Sequence, residues 1–95
     1  MSALFHIVTR EAWERARAAG EYRPASLASE GFIHLSTAAQ WPATRQRFYR
    51  DVPDLVLLQV APAGLDIRYE RADRDDFPHL YGPLPITSVI DVTDL

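Results

Sequence analysis

The chain contains no cysteine. Disulfides, thiolate nucleophiles and cysteine-held zinc are excluded before any pattern is read. It also lacks an excess of positive charge: the formal net charge is -3 and the pI is about 5.5. No basic footprint for nucleic acid or for an anionic membrane is present. No apolar run approaches the roughly 20 residues that cross a bilayer. The opening stretch, Met1-Ser2-Ala3-Leu4-Phe5-His6, has neither the charged start nor the long apolar segment of a secretory signal. A cytoplasmic location is the expectation, with no membrane and no nucleic acid as partner. What is present is an ordinary globular composition, with 47% hydrophobic and 24% charged residues. At 95 residues the chain is a single domain, 1–95. A chain of this size hides only about 60–65% of its unfolded surface. Stability is expected to be modest, in a monomer or a weak homodimer.

The pattern of residues predicts an α+β protein. Leu4-Phe5-His6-Ile7-Val8 reads as a first strand, with His6 on the face of Leu4 and Val8. Thr9 is a good N-cap for a helix over Arg10–Ala19, whose Ala12, Trp13, Ala16 and Ala19 share one face and which Gly20 ends. Glu21 to Glu30 reads as a loop around Tyr22 and Pro24, with one helical turn at 26–30 and with Tyr22 and Arg23 as the residues of interest. Phe32–Leu35 is a second strand. Thr37 with Gln40 fits a capping box, and Pro42 moves the start of the following helix to about its own position. Trp41 and Phe48 are expected to be buried on that helix. The continuous run Leu55–Val60 predicts a central strand covered on both faces. Ile67–Glu70 alternates like a strand, Arg71–Asp76 reads as a charged loop, and Leu84–Val92 gives a last strand. The helices fall early and the strands mostly late, which is the α+β ordering.

Polar chemistry concentrates in three histidines, His6, His34 and His79. Each is flanked by candidate partners among Thr9, Ser36, Thr37 and Tyr81, which a buried imidazole needs. Three histidines can also hold zinc with one position open. Their spacings of 28 and 45 residues match no local ligand motif, and the leading expectation is no metal. A serine hydrolase using Ser36 with Asp75, Asp76 or Asp91 lacks the glycine pattern of a nucleophile elbow. Phe77-Pro78-His79-Leu80-Tyr81-Gly82-Pro83-Leu84-Pro85 reads as a proline-stiffened loop displaying His79 and Tyr81, or as a tight crossover that places Phe77, Leu80 and Leu84 in the core. Glu70 stands at the end of an alternating strand, either as a catalytic anchor or as a solvated acid.

Taken together, Phe5-His6-Ile7-Val8 before the Trp13 helix, Gly20-Glu21-Tyr22, Glu30-Gly31-Phe32-Ile33-His34-Leu35-Ser36-Thr37 and Phe77-Pro78-His79-Leu80-Tyr81-Gly82-Pro83-Leu84 resemble the family called domain of unknown function 952. The resemblance covers nearly the whole chain. It implies an ADP-ribosyltransferase-like fold, two small antiparallel sheets with two helices, holding a cleft for NAD or a related ADP-ribosyl compound. It implies cofactor contacts from His6, Thr9, Tyr22, Ser36 and Thr37, and catalytic roles for His34, His79, Glu70 and Tyr81. The late-strand glutamate of that fold is matched poorly, with Glu70, His79 or Tyr81 as substitutes. Arg10, Arg23 and Arg45 are expected near the cleft for a phosphate. A non-catalytic module for a small metabolite or a partner's side chain is the alternative, and a three-histidine metal site is the second one.

Overall fold

In the computed structural model, which describes residues 2–72 and 74–95, the first apolar run forms strand β1 (Leu4–Thr9) and passes without a break into helix α1 (Arg10–Ala19). Thr9 makes that corner. Its backbone is extended, and its hydroxyl oxygen accepts the Ala12 N–H at 3.2 Å. Thr9, expected as a cofactor contact, is a helix cap. Gly20, at φ +88°, closes the helix in a conformation other residues resist. Trp13 and Ala16 form its buried face, and Glu11 pairs with Arg15 at 2.5 Å on the exposed one.

The expected loop over 21–30 is more ordered than it reads. It contains β2 (Glu21–Tyr22) and a third helix, α2 (Ala25–Glu30), so the expectation of two helices is corrected to three. Pro24 presets an extended backbone before a run of good helix formers, and Gly31, at φ +87°, ends it. After β3 (Ile33–His34) and a turn comes α3 (Trp41–Phe48), with Pro42 tolerated in its first turn. Trp41 packs on Phe5, ring centroids 6.5 Å apart. Phe48 does not bury as expected; it is 63% exposed. It stands about two helical turns beyond Trp41, roughly 10 Å further along the axis and away from that contact.

The remaining strands are β4 (Leu55–Val60), β5 (Ile67–Ala72), β6 (Asp75–Leu80), β7 (Leu84–Pro85) and β8 (Val89–Asp94), with a 3-10 turn at Ile86–Ser88. All pairings are antiparallel: β1-β4-β8, β3-β6-β5, and the two-stranded β2-β7. A third small sheet thus joins the two expected. β4 is the central strand its composition predicts. Val56, Leu58 and Val60 enter the main core with Leu4, Val8, Ile33, Leu35, Leu80 and Leu84, while Leu55 and Leu57 join Ile7 on the opposite face.

Two expectations about the second half are corrected. Most of the Arg71–Asp76 stretch is strand: Arg71 pairs with Asp76 and Ala72 with Asp75 in a β5–β6 hairpin, and Asp73 lies outside the described residues. Backbone pairing holds these exposed charged ends, so no burial pattern marks them. Phe77–Leu80 is also strand and not a free-standing display loop. Pro78 sits in the middle strand of its sheet, where proline is disfavoured. Its carbonyl accepts the Leu35 N–H at 3.0 Å, but it returns no N–H to Leu35. The β3–β6 ladder stops there. Ser36 pairs instead with Phe5 of β1, by N–H to O bonds of 2.7 and 2.8 Å. That single bridge joins the two three-stranded sheets. No helix among the described residues is long and apolar enough to cross a membrane.

Leu58→Ala, at a side chain with 0% exposure, is expected to cost about 2–5 kcal/mol. Thr9→Ala is expected to cost about 1 kcal/mol. Urea denaturation of both variants measures this, and a Thr9→Ala protein as stable as the parent would remove the capping role.

Candidate functional site

Alternation along the strands sorts the side chains. On β3 and the residues beside it, Ile33 and Leu35 are buried in the core, and Phe32, His34 and Ser36 take the opposite face. On β6, Pro78 and Leu80 go inward, and Phe77 and His79 share the face of His34. The cross-strand pair His34–His79 sets two imidazoles side by side, centroids 5.3 Å apart. Phe32 stacks on His79 at 4.1 Å and 15°.

A cleft of about 870 Å³ opens where the sheets meet. All three histidines line it, together with Tyr22 and Ser36. Its walls come from Gln40, Phe48, Tyr49 and Arg47 on the α3 side and from Asp75 and Phe77 on the hairpin.

His6 is committed to the protein. Its Nδ1 lies 2.7 Å from the His34 carbonyl oxygen, which can only accept, so Nδ1 carries the proton. Its Nε2 then accepts from the Tyr22 hydroxyl at 3.0 Å. Burial pushes the imidazole down to about 4, so it is neutral at ordinary pH. Burial also pushes the Tyr22 phenol up to about 12, which keeps it protonated as the donor this bond needs. Both ring nitrogens of His6 are used, and it positions Tyr22 and His34 where a direct ligand contact is expected.

His79 is arranged differently. Its ring is buried, and Nδ1 lies 2.8 Å from Glu70 Oε1. The Tyr81 hydroxyl donates to the same oxygen at 2.5 Å. These two bonds, Tyr81 first, hold the Glu70 carboxyl below the usual carboxylate range, and the Glu70 bond raises the Tyr81 phenol. Facing an ionised carboxylate, Nδ1 is the donor. Among the described residues Nε2 has no protein partner and no side-chain polar atom is buried without one, so Nε2 opens on the cleft as an acceptor. The same reasoning opens the Ser36 hydroxyl on the cleft. His34 offers its Nε2 to Glu30 at 3.0 Å.

Not every expected residue reaches this space. His6, Tyr22, His34, Ser36 and His79 line the cleft; Thr9, Thr37, Glu70 and Tyr81 do not. Thr37 serves the turn into α3: its N–H donates to Gln40 Oε1 at 3.0 Å. Glu70 and Tyr81 act from behind His79. Arg10, Arg23 and Arg45 do not line the cleft either. Arg10 is held by Asp54 (2.9 Å) and Asp94 (2.7 Å), and Arg23 pairs with Glu21. The arginine that lines the cleft is Arg47. Among the described residues no three His, Asp or Glu side chains gather to hold a metal, and His6 has no nitrogen left for one. Sequence reasoning also passed over Gln40, although the capping-box spacing marks it. Gln40 Nε2 donates to Asp75 Oδ2 and to the Asp76 carbonyl, both at 2.8 Å, and so ties the two walls together.

This architecture is shared. The family model "Protein of unknown function (DUF952)" matches residues 7–92, and the chain belongs to that family. The crystal structure of protein CC0527 from Caulobacter crescentus superposes with a TM-score of 0.91 at 36% identity, over 99% of this chain and 86% of that one. The solution NMR structure of CC0527 gives a TM-score of 0.86 at 36% identity, over 100% of this chain and 85% of that one. No curated protein matches.

His6 makes stability depend on pH. Its folded value of about 4 lies below the ordinary value of 6.5, so the unfolded chain takes up the proton first as pH falls. The contribution is complete above the unfolded value and is lost as pH falls through about 4, on the order of 3 kcal/mol in all. His6→Asn keeps a donor for the His34 carbonyl and cannot titrate. Its urea midpoint is expected to fall less steeply between pH 6.5 and 4 than that of the parent; equal slopes would place the dependence elsewhere.

Proposed function

We propose that the cleft binds NAD or a related ADP-ribosyl compound, on an ADP-ribosyltransferase-like fold, and that the protein transfers the ADP-ribosyl group. One observation carries this reading. Segments far apart in sequence bring Tyr22, His34, Ser36 and His79 to a single cleft of about 870 Å³, a size suited to a nucleotide-like ligand. Phe48, Tyr49 and Phe77 give it flat apolar walls against which a base can lie. The hydroxyls of Tyr22 and Ser36 and the imidazoles of His34 and His79 suit a ribose, whose hydroxyls both donate and accept.

In the proposed reaction the bond from ribose C1′ to the nicotinamide nitrogen breaks, and nicotinamide leaves with the electron pair, neutralising its ring. An acceptor hydroxyl, amine or water forms the new bond to C1′, and its proton passes to His79 Nε2. Glu70, hydrogen-bonded to Nδ1, stabilises the imidazolium that results. His79 is thus the catalytic residue of this reading. Glu70 and Tyr81 position it, and the direct glutamate–ribose contact that the resemblance implies is replaced. Because Glu70 is held behind His79, a cleft that binds without turnover is the second reading.

Thermal shift with NAD, ADP-ribose and nicotinamide is expected to raise the midpoint with the first two. Release of nicotinamide from NAD is expected to fall about 10²–10⁴-fold in His79→Gln, the usual range for losing an acid–base group. A folded protein indifferent to all three compounds would sink the proposal. Binding without nicotinamide release would leave the non-catalytic module.

A further inference from the structure

The three histidines divide into two kinds. His6 bonds only neutral groups, the His34 carbonyl and the Tyr22 hydroxyl. His34 and His79 each bond a glutamate: His34 Nε2 lies 3.0 Å from Glu30 Oε2, and His79 Nδ1 lies 2.8 Å from Glu70 Oε1. A carboxylate oxygen accepts, so each imidazole spends one N–H on its glutamate and keeps its other nitrogen. That nitrogen is Nε2 on His79 and Nδ1 on His34, and neither has a hydrogen-bond partner among the described residues. The fold builds the pair from both sides. Gly31, at φ +87°, turns the chain back at the end of α2, which sets Glu30 beside His34 on β3. The His6 bond holds the His34 backbone. Phe32 then wedges both rings, stacked on His79 at 15° and edge-on to His34 at 64°, with 4.9 Å between the latter centroids. The two imidazole centroids are 5.3 Å apart and both rings line the cleft, so one small ligand group reaches both of them.

Transfer from NAD needs a proton acceptor and no proton donor, because the leaving nicotinamide takes the electron pair and becomes neutral. A second imidazole backed by its own glutamate has no proton to move in that step. We propose that the cleft also hydrolyses ADP-ribose joined through oxygen to an alcohol, such as a serine side chain, with His34 as the proton donor and His79 as the proton acceptor. This rests on the ADP-ribosyl reading for the ligand and names the linkage that two imidazoles suit. An alkoxide is a poor leaving group and requires a proton as it departs. In this reaction the bond from ribose C1′ to the alcohol oxygen breaks. The electron pair goes to that oxygen, which takes the proton from Nδ1 of a protonated His34. Water forms the new bond to C1′ and gives its proton to His79 Nε2. ADP-ribose and the free alcohol result, and exchange with solvent resets the two imidazoles. Glu30 and Glu70 are positioning residues: each orients its imidazole and stabilises it while it carries a second proton. The side chains of His34 and Glu30 are both exposed, so this donor can be replaced without opening the core.

Two synthetic ADP-ribosides, one with methanol and one with para-nitrophenol as the leaving group, test this on the parent, His34→Gln, Glu30→Gln and His79→Gln, with nicotinamide release from NAD measured beside them. Para-nitrophenol leaves as a stable anion and needs no donor. The parent is expected to hydrolyse both compounds. His34→Gln is expected to lose about 10²–10⁴-fold on the methyl compound, and at least about tenfold less than that on the nitrophenyl compound. Glu30→Gln is expected to show the same contrast with smaller losses, and His79→Gln to lose equally on both. Equal losses on the two compounds in His34→Gln would overturn the donor role while leaving the ADP-ribosyl reading standing. Nicotinamide release by a parent that leaves the methyl compound intact would do the same. Hydrolysis of the methyl compound with the expected contrast, and no nicotinamide release, would uphold the hydrolase and retire the transfer from NAD. A parent that neither binds nor cleaves any of the three compounds would overturn both.

Discussion

One buried imidazole ties the three sheets together. His6 belongs to β1, its Nδ1 bonds the backbone of His34 on β3, and its Nε2 takes the hydroxyl of Tyr22 on β2. No other side chain described here touches all three sheets by hydrogen bonds. With the ring neutral the Tyr22 hydroxyl donates to Nε2; protonation would reverse that bond and set a charge in a buried place. Burial supplies that neutrality, and the same burial places the ring in the wall between core and cleft. A residue that the family resemblance offers as a cofactor contact is also the fixture on which the rest of the cleft is hung.

The site and the core are two faces of the same strands. Ile33, Leu35, Pro78 and Leu80 are buried, while the residues between and beside them, Phe32, His34, Ser36, Phe77 and His79, make the polar face. β5 completes that face from the far side: Glu70 reaches His79 and Tyr81, and Arg68 lies 4.3 Å over the Tyr81 ring. The acid that steadies His79 thus stands in a second rank, in contact with other protein groups on its own sheet. A strand that pairs apolar and polar residues one by one needs no separate scaffold for its chemistry.

Much of the first half was legible because its signals are local. Thr9, Gly20 and the spacing of Trp13 and Ala16 define α1, and the unbroken run Leu55–Val60 defines the central strand. The convergence of positions 6, 34 and 79 was legible only through the pattern of flanking residues, since nothing local connects them. Other features were hidden for physical reasons. The β5–β6 hairpin carries charge on its exposed ends, so its sequence resembles a loop. β2 and β7 are two residues each, too short for any period. Pro78 argued against a strand, because its compensation, an early end to the β3–β6 ladder, appears only when the register is known. The arginines followed the same rule: Arg10, Arg23 and Arg45 were the expected ones, but the guanidinium that meets the cleft is decided by the course of α3, which brings Arg47 there.

Gln40 has a consequence for the width of the cleft. Its side-chain amide accepts at one end, from Thr37, and donates at the other, to Asp75 and the Asp76 carbonyl. Only a group with both polarities on one rigid plane can make that set of bonds. A hydrolysed amide, a carboxylate in the same place, would keep the Thr37 bond but set negative charge against Asp75. The gap between α3 and the hairpin is therefore held by a chemically perishable latch, and slow ageing of one glutamine would leave the core intact while letting the cavity gape.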